Sequence, residues 1–327
     1  MSPTPRPARA GLRFKRLQRA LADQPTLVLC GILVLLIVAT GIISPGFVTG
    51  HQLSTSLLSA APLGVLAAGQ TLVMLTGGID LSLANTATLA AYIVAQLGGF
   101  GTPVAVAVAL AVGLVIGLIN GVGIGIFGVQ PLIMTLGMAG VIIGAQDIAT
   151  LLLHFTTVVP TPVQQLGGGT ILEYVPVNVL LWAILSILIV FGLRRSGLGR
   201  MIYAVGDNPL ACRLAGVRVW QVLLVNYALC GVLSAVAGIL LVGYTNAADP
   251  TIGVPYLLPS IAAVVIGGTS ILGGSGGYTG TILGALILTE LGSLLTLMNV
   301  SEAVRQMLYG VILLALAWVY VRTAGGE

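Results

Sequence analysis

Apolar stretches of about 20 residues, long enough to cross a hydrocarbon core about 30 Å thick as a helix, follow one another along this chain with only short polar breaks. Ten spans are predicted, with approximate bounds 25–43, 52–76, 81–98, 102–126, 131–153, 175–193, 219–243, 256–273, 277–297 and 302–322. Two breaks fall at membrane depth or at its cytoplasmic edge. They are Thr76-Gly77-Gly78-Ile79-Asp80-Leu81-Ser82 and the Gly-rich run from Gly267 to Gly277. Irregular backbone is tolerated there only inside protein or along a water-filled path. The two runs read as weak echoes of one duplicated unit, a common feature of transporters.

Composition narrows the class. Of 327 residues, 57% are hydrophobic and 7% charged, against about 25% charged in a soluble domain. A soluble globule is excluded, because polar groups cannot cover a water-facing surface of this size. The 45 glycines are about twice the usual share, as expected of close-packed, interrupted membrane helices.

The placement of charge sets orientation. Arg6, Arg9, Arg13, Lys15, Arg16 and Arg19 crowd the N-terminus, and the next cation is Arg194. A second cluster, Arg194, Arg195, Arg200, Arg213 and Arg218, is followed only by Arg305 and Arg322. Basic loops stay cytoplasmic. The predicted spans between the clusters, and between the second cluster and Arg322, are even in number, so all three sites can share that side. The opposite side receives 45–51, 154–174 and 246–255, which hold no Lys or Arg. The expected architecture is an all-α polytopic membrane protein with both termini cytoplasmic. It has a basic segment 1–24, one transmembrane domain 25–322 with a cytoplasmic loop 194–218, and a tail 323–327. Cations sorted by membrane side are a topology signal rather than a nucleic-acid surface.

Chemistry-bearing motifs are few. Cys30, Cys212 and Cys230 lack metal-ligand spacing, and His51 and His154 read as solvated loop residues. No hydrolase, metalloprotease or phosphate-loop motif occurs, and Lys15 is the only lysine. A metal site, a resident cofactor and enzymatic activity are therefore not expected. In the second basic loop, Gly206-Asp207-Asn208-Pro209-Leu210-Ala211-Cys212-Arg213-Leu214-Ala215-Gly216 is punctuated as a short helix. Asn208 or Asp207 is the N-cap, Pro209 occupies the first helical position, and Gly216 suits a left-handed C-terminal turn. Such a helix is either a docking knob or an ordinary surface hairpin.

Asp80 is an acid beside a Gly-Gly pair, and such intramembrane charges are costly. It can carry a proton or cation, accept a solute hydroxyl, or cap the following helix. Gln70, Gly77, Gly78, Asp80, Ser82, Asn85 and Thr269 are the candidates for a pathway or gate. Asn120, Gln146 and Asn246 are equally suited to interhelical hydrogen bonds. Glu290 and Arg305 are expected to pair across a hairpin. The rival to a subunit driven from outside is an ion-coupled secondary transporter using Asp80, Asp147 or Glu290.

Three motifs together carry a resemblance: Gly-Gly-Ile-Asp-Leu-Ser at 77–82, the run Gly197 to Val217, and Ile-Gly-Gly-Thr-Ser-Ile-Leu-Gly-Gly at 266–274. From about Leu27 to Tyr320 the chain resembles the ribose-type permease subunits of bacterial ATP-binding-cassette sugar importers. The resemblance implies a permease in the bacterial inner membrane, paired with an identical or paralogous copy. Its other partners would be a cytoplasmic ATPase that consumes the ATP and a periplasmic sugar-binding protein. The segment 206–216 would be the family's coupling segment. Leu83-Ala84-Asn85 and Cys212 depart from the common pattern, and Asn85 adds an amide near the path, so the sugar can differ from ribose.

Overall fold

The computed structural model describes residues 25–152, 158–171 and 175–324. The N-terminal basic cluster, His154 and positions 325–327 of the predicted tail lie outside the described residues. The helices are α1 Pro25–Ile43, α2 Gly50–Leu75, α3 Leu83–Leu97, α4 Thr102–Gly125, α5 Pro131–Leu152, α6 Thr161–Gly168 and α7 Val177–Arg195. They continue as α8 Gly197–Asp207, α9 Pro209–Leu214, α10 Val219–Thr245, α11 Leu257–Ile266, α12 Tyr278–Leu297 and α13 Glu302–Ala324. Two short strands, β1 Thr170–Ile171 and β2 Val175–Pro176, pair antiparallel with Thr170 opposite Pro176.

Among the described residues, seven helices are long and apolar enough to cross a membrane: α1, α2, α4, α5, α7, α10 and α12. The chain is thus an all-α polytopic membrane protein. Two predicted spans are short helices, and the second is corrected in its bounds. The stretch 81–98 yields only α3, 15 residues or about 22 Å at 1.5 Å per residue. The stretch 256–273 yields the 10-residue α11 after a 3-10 turn at Val254–Tyr256. Gly77 (φ +78°) and Gly268 (φ +84°) turn the backbone out of helix, a geometry open to glycine at no steric cost. Hydropathy averages across such turns. The predicted outer loop 154–174 also holds a helix, α6. Its Gly167 packs so closely on Gly243 of α10 that a Cβ would meet backbone.

Helices α2 and α10 form the core. Every residue from Ala60 to Leu75 is buried. Helix α4 lies along α10 through Gly113, Gly117, Gly121 and Gly125, four residues apart on one face. A Cβ at any of them would meet the backbone of α10, at Gly231, Tyr227, Leu224 and Trp220 respectively. Without a hydrophobic drive between helices in lipid, such close approach is what holds them together. The outer helices turn large apolar side chains outward, as with Leu35, Leu136 and Ile187.

Polar side chains repair broken backbone. Pro62, inside α2, has no N–H for the carbonyl of Leu58, and Asn178 Nδ2 of α7 donates to that carbonyl at 2.8 Å. One turn further along α7, Trp182 Nε1 donates to Tyr278 Oη, which donates to the Gly64 carbonyl, both at 2.8 Å. This relay sets α7 and α12 against α2.

Candidate functional site

The last four carbonyls of a helix lack intrahelical partners, and at the end of α2 each finds another donor. Asn226 Nδ2 of α10 donates to Leu72 O at 2.6 Å. Gly78 N donates to Val73 O at 3.1 Å and Gly77 N to Met74 O at 2.9 Å. Gly274 N, from the Gly-rich run, donates to Leu75 O at 3.0 Å. The third motif closes on the same point, for a Cβ at Gly206 would fall on Leu75 O and Gly274 N. Thr269 Oγ1 accepts from Gly277 N at 3.2 Å, and Tyr203 Oη donates to Gly276 O at 3.0 Å. Stretches far apart in sequence thus meet at one junction.

From that junction α9 projects. Asn208 Oδ1 accepts from Ala211 N at 2.9 Å, and Pro209 opens the helix. At its end Gly216 (φ +81°) lets its own N–H reach Arg213 O at 3.0 Å and that of Val217 reach Cys212 O at 2.9 Å, the double closure of a Schellman turn. Cys212 faces inward at 8% exposure, whereas Leu210 and Leu214, one turn apart, are 64% and 83% exposed. Asp207 ends α8, and Ala211 and Arg213 lie within α9.

The intramembrane acid has structural work. Asp80 is 2% exposed. Its Oδ1 accepts from Ser82 N at 2.8 Å and Ser82 Oγ at 2.6 Å, and Cys230 Sγ lies 3.5 Å from Oδ2. Asn120 Nδ2 of α4 donates to Ser82 Oγ at 3.0 Å. The carboxylate therefore starts α3 and ties it to α4 and α10. Asp80→Ala strands buried donors and is expected to cost about 2–3 kcal/mol, read as a lower unfolding temperature in detergent. Asp80→Asn keeps an acceptor and should retain most of the stability. Equal losses in the two variants would contradict the capping role.

The expected Glu290–Arg305 pair does not form. Arg305 Nη2 meets Glu302 Oε2 at 2.7 Å, and Nη1 donates to Thr296 Oγ1 at 2.7 Å. Glu302 sits three residues before Arg305, on the same helical face, so the nearer acid takes the guanidinium. Glu290 lies beside Ser56 of α2. The rival's three acids occupy separate surroundings: Asp80 in its capping cluster, Glu290 by Ser56, and Asp147 exposed on α5.

A cavity of about 440 Å³ opens where the N-terminal turns of α2, α11 and α13 meet the C-terminal half of α12. None of the predicted pathway residues Gln70, Gly77, Gly78, Asp80, Ser82, Asn85 or Thr269 lines it. Gln70 is fully buried in the core, and Asn85 is half-buried on α3. From α2 the wall takes Gln52, Thr55, Ser56 and Ser59; from α12 it takes Thr289, Ser293 and Thr296. Both sets recur at three- and four-residue spacing, the period of one helix face. That spacing is the signal by which sequence could have revealed them.

The chain is similar to known proteins over most of its length. Residues 52–317 match the permease component of the branched-chain amino acid transport system. It is 37% identical over 298 residues to the ribose import permease protein RbsC of Escherichia coli strain K12, covering 86% of this chain and 89% of that one. It is 34% identical over 314 residues to the fructose import permease protein FrcC of Rhizobium meliloti, covering 92% and 86%. It is 36% identical over 291 residues to RbsC of Bacillus subtilis, covering 86% and 88%. No solved structure matches.

Proposed function

This chain belongs to the family of branched-chain amino acid transport system permease components, and on that footing we propose that it forms the membrane pathway of an ATP-driven importer for a monosaccharide. It is a transport subunit and not an enzyme. A separate cytoplasmic ATPase hydrolyses the ATP, and the permease itself takes no cofactor. The other proposed partners are a periplasmic sugar-binding protein, a second identical or paralogous permease, and the lipid of the bacterial inner membrane.

The observation that carries this reading is α9, capped at both ends, with two exposed leucines, and joined through Gly206 to the end of α2. A helix so placed is suited to sit in a groove of a cytoplasmic motor. An ATPase that holds α9 differently in its open and closed forms biases the bundle between outward- and inward-facing states by that difference in contact energy. Asp207, Asn208, Pro209, Leu210, Ala211, Arg213, Leu214 and Gly216 are its proposed coupling residues.

Sugar is favoured over a branched-chain amino acid by the relatives' ribose and fructose substrates and by the hydroxyl-lined cavity. The ten-crossing topology is kept, with α3 and α11 as short helices completed by the glycine-rich backbone at 76–82 and 267–277. Both termini and α9 then share the cytoplasmic side. In proteoliposomes holding the permease, its ATPase and its binding protein, labelled D-ribose or D-fructose is expected to accumulate only when both ATP and binding protein are present. Accumulation driven by an imposed proton gradient without ATP would overturn this in favour of the secondary transporter.

A further inference from the structure

The charges on the cavity wall cancel within the wall. Glu302 accepts from Arg305 through Oε2 and from Gln306 Nε2 through Oε1 at 2.7 Å, and Gln306 Nε2 also reaches Pro255 O at 3.0 Å. Two of the arginine's nitrogens are therefore occupied, by Glu302 and Thr296. No unbalanced cation remains there for a carboxylate ligand.

The hydroxyls share one orientation. Thr55 donates to His51 O, Ser59 to Ser56 O, Thr289 to Ala285 O and Thr296 to Gly292 O, at 2.7 to 3.1 Å. A hydroxyl has one proton and two lone pairs. With each proton spent on its own helix, what these groups offer the cavity is acceptor capacity. One buried atom stands without a partner beside them, Arg305 Nε, and the hydroxyl of Ser56, a residue 6% exposed, lies beside Glu290. Tyr244, Tyr256 and Tyr309 border the same space.

We infer that this cavity is a resting site for a neutral polyhydroxylated solute, which donates hydrogen bonds to the acceptor face of α2 and α12 and accepts one from Arg305 Nε. This deepens the monosaccharide reading and rests on it. A polyol matches the wall because each of its hydroxyls both donates and accepts. An aliphatic side chain would leave the wall's polar groups unpaired. A cavity of about 440 Å³ lies within the usual range of small-molecule pockets, about 300–1,000 Å³. On the proposed topology it opens on the side where the binding protein delivers its cargo.

The test blocks the cavity after folding. Leu297→Cys, at the edge of the cavity and outside its hydrogen-bonding wall, in the assembled importer in proteoliposomes, is treated with a bulky water-soluble methanethiosulfonate, with the unsubstituted importer treated in parallel. Uptake of D-ribose or D-fructose should be lost on labelling of the Cys variant alone and return when reductant removes the adduct. High concentrations of either sugar should slow the labelling severalfold, whereas L-leucine should not. Sugar uptake that survives complete labelling would overturn the site while leaving the monosaccharide reading intact. If the unsubstituted importer takes up L-leucine and neither sugar, both fall.

Discussion

Gly117→Leu is expected to leave little folded protein in the membrane. Gly117 sits at the centre of the α4–α10 contact, where a Cβ would fall on Tyr227 O and the Ala228 backbone. Neither is the movable end of a side chain, so the helices must part. Overpacking a well-fitted core costs about 1–3 kcal/mol. Here the loss is expected at or above the top of that range, because the displaced contact is backbone on backbone along four successive glycine positions. Gly31→Leu, on α1 with nothing within 4 Å of its Cβ position, should change stability by about 0.5 kcal/mol or less. Thermal unfolding in detergent and the yield of monodisperse protein compare the two. A Gly117→Leu variant as stable as Gly31→Leu would show that the close contact does not hold the core.

The second large effect falls on transport with folding intact. The double variant Leu210→Asp, Leu214→Asp alters two side chains that are 64% and 83% exposed and sit one turn apart on α9. The caps of the helix, Asn208 and the turn at Gly216, lie outside the altered face and remain. Helical anchors buried in a partner's groove each carry about 2 kcal/mol when they are hot spots. Losing both, and placing charge in an apolar groove, should abolish ATP-driven sugar uptake and co-purification of the ATPase, while the unfolding temperature of the isolated permease stays unchanged. Normal uptake by this variant would remove α9 as the coupling element.

How much could be read in advance depended on the distance over which each feature is decided. The caps of α9 are local: Asn208, Pro209 and Gly216 each act within a few residues, and the helix forms where they place it. Asp80 acts on a residue two positions away, so its capping use was readable from Asp-Leu-Ser, but its link through Ser82 to Asn120 was not. Arg305 had two acids within reach of a hairpin argument. The choice of Glu302 over Glu290 depends on where α13 begins, after the left-handed Asn299 (φ +57°). The span 256–273 was overextended because hydropathy averages across the turn at Gly268, whereas 81–98 agrees with α3 to within two residues at each end. The pathway candidates were chosen for rarity in an apolar setting, and the capping cluster gives Asp80 and Ser82 partners within a single chain. The hydroxyls at 52–59 and 289–296 are individually unremarkable, and their meeting across two helices depends on tertiary packing that one-dimensional patterning cannot report.

The contact of Gly206 with the Leu75 carbonyl and Gly274 N also has a mechanical meaning. A leucine or methionine between two helices can swing to another rotamer and absorb a push, but bare peptide planes have no such give. The second helix, the glycine-rich turn and the hairpin of α8 and α9 are therefore joined as one stiff linkage. Under the coupling role proposed for α9, a stroke applied there would reach α2 without lost travel.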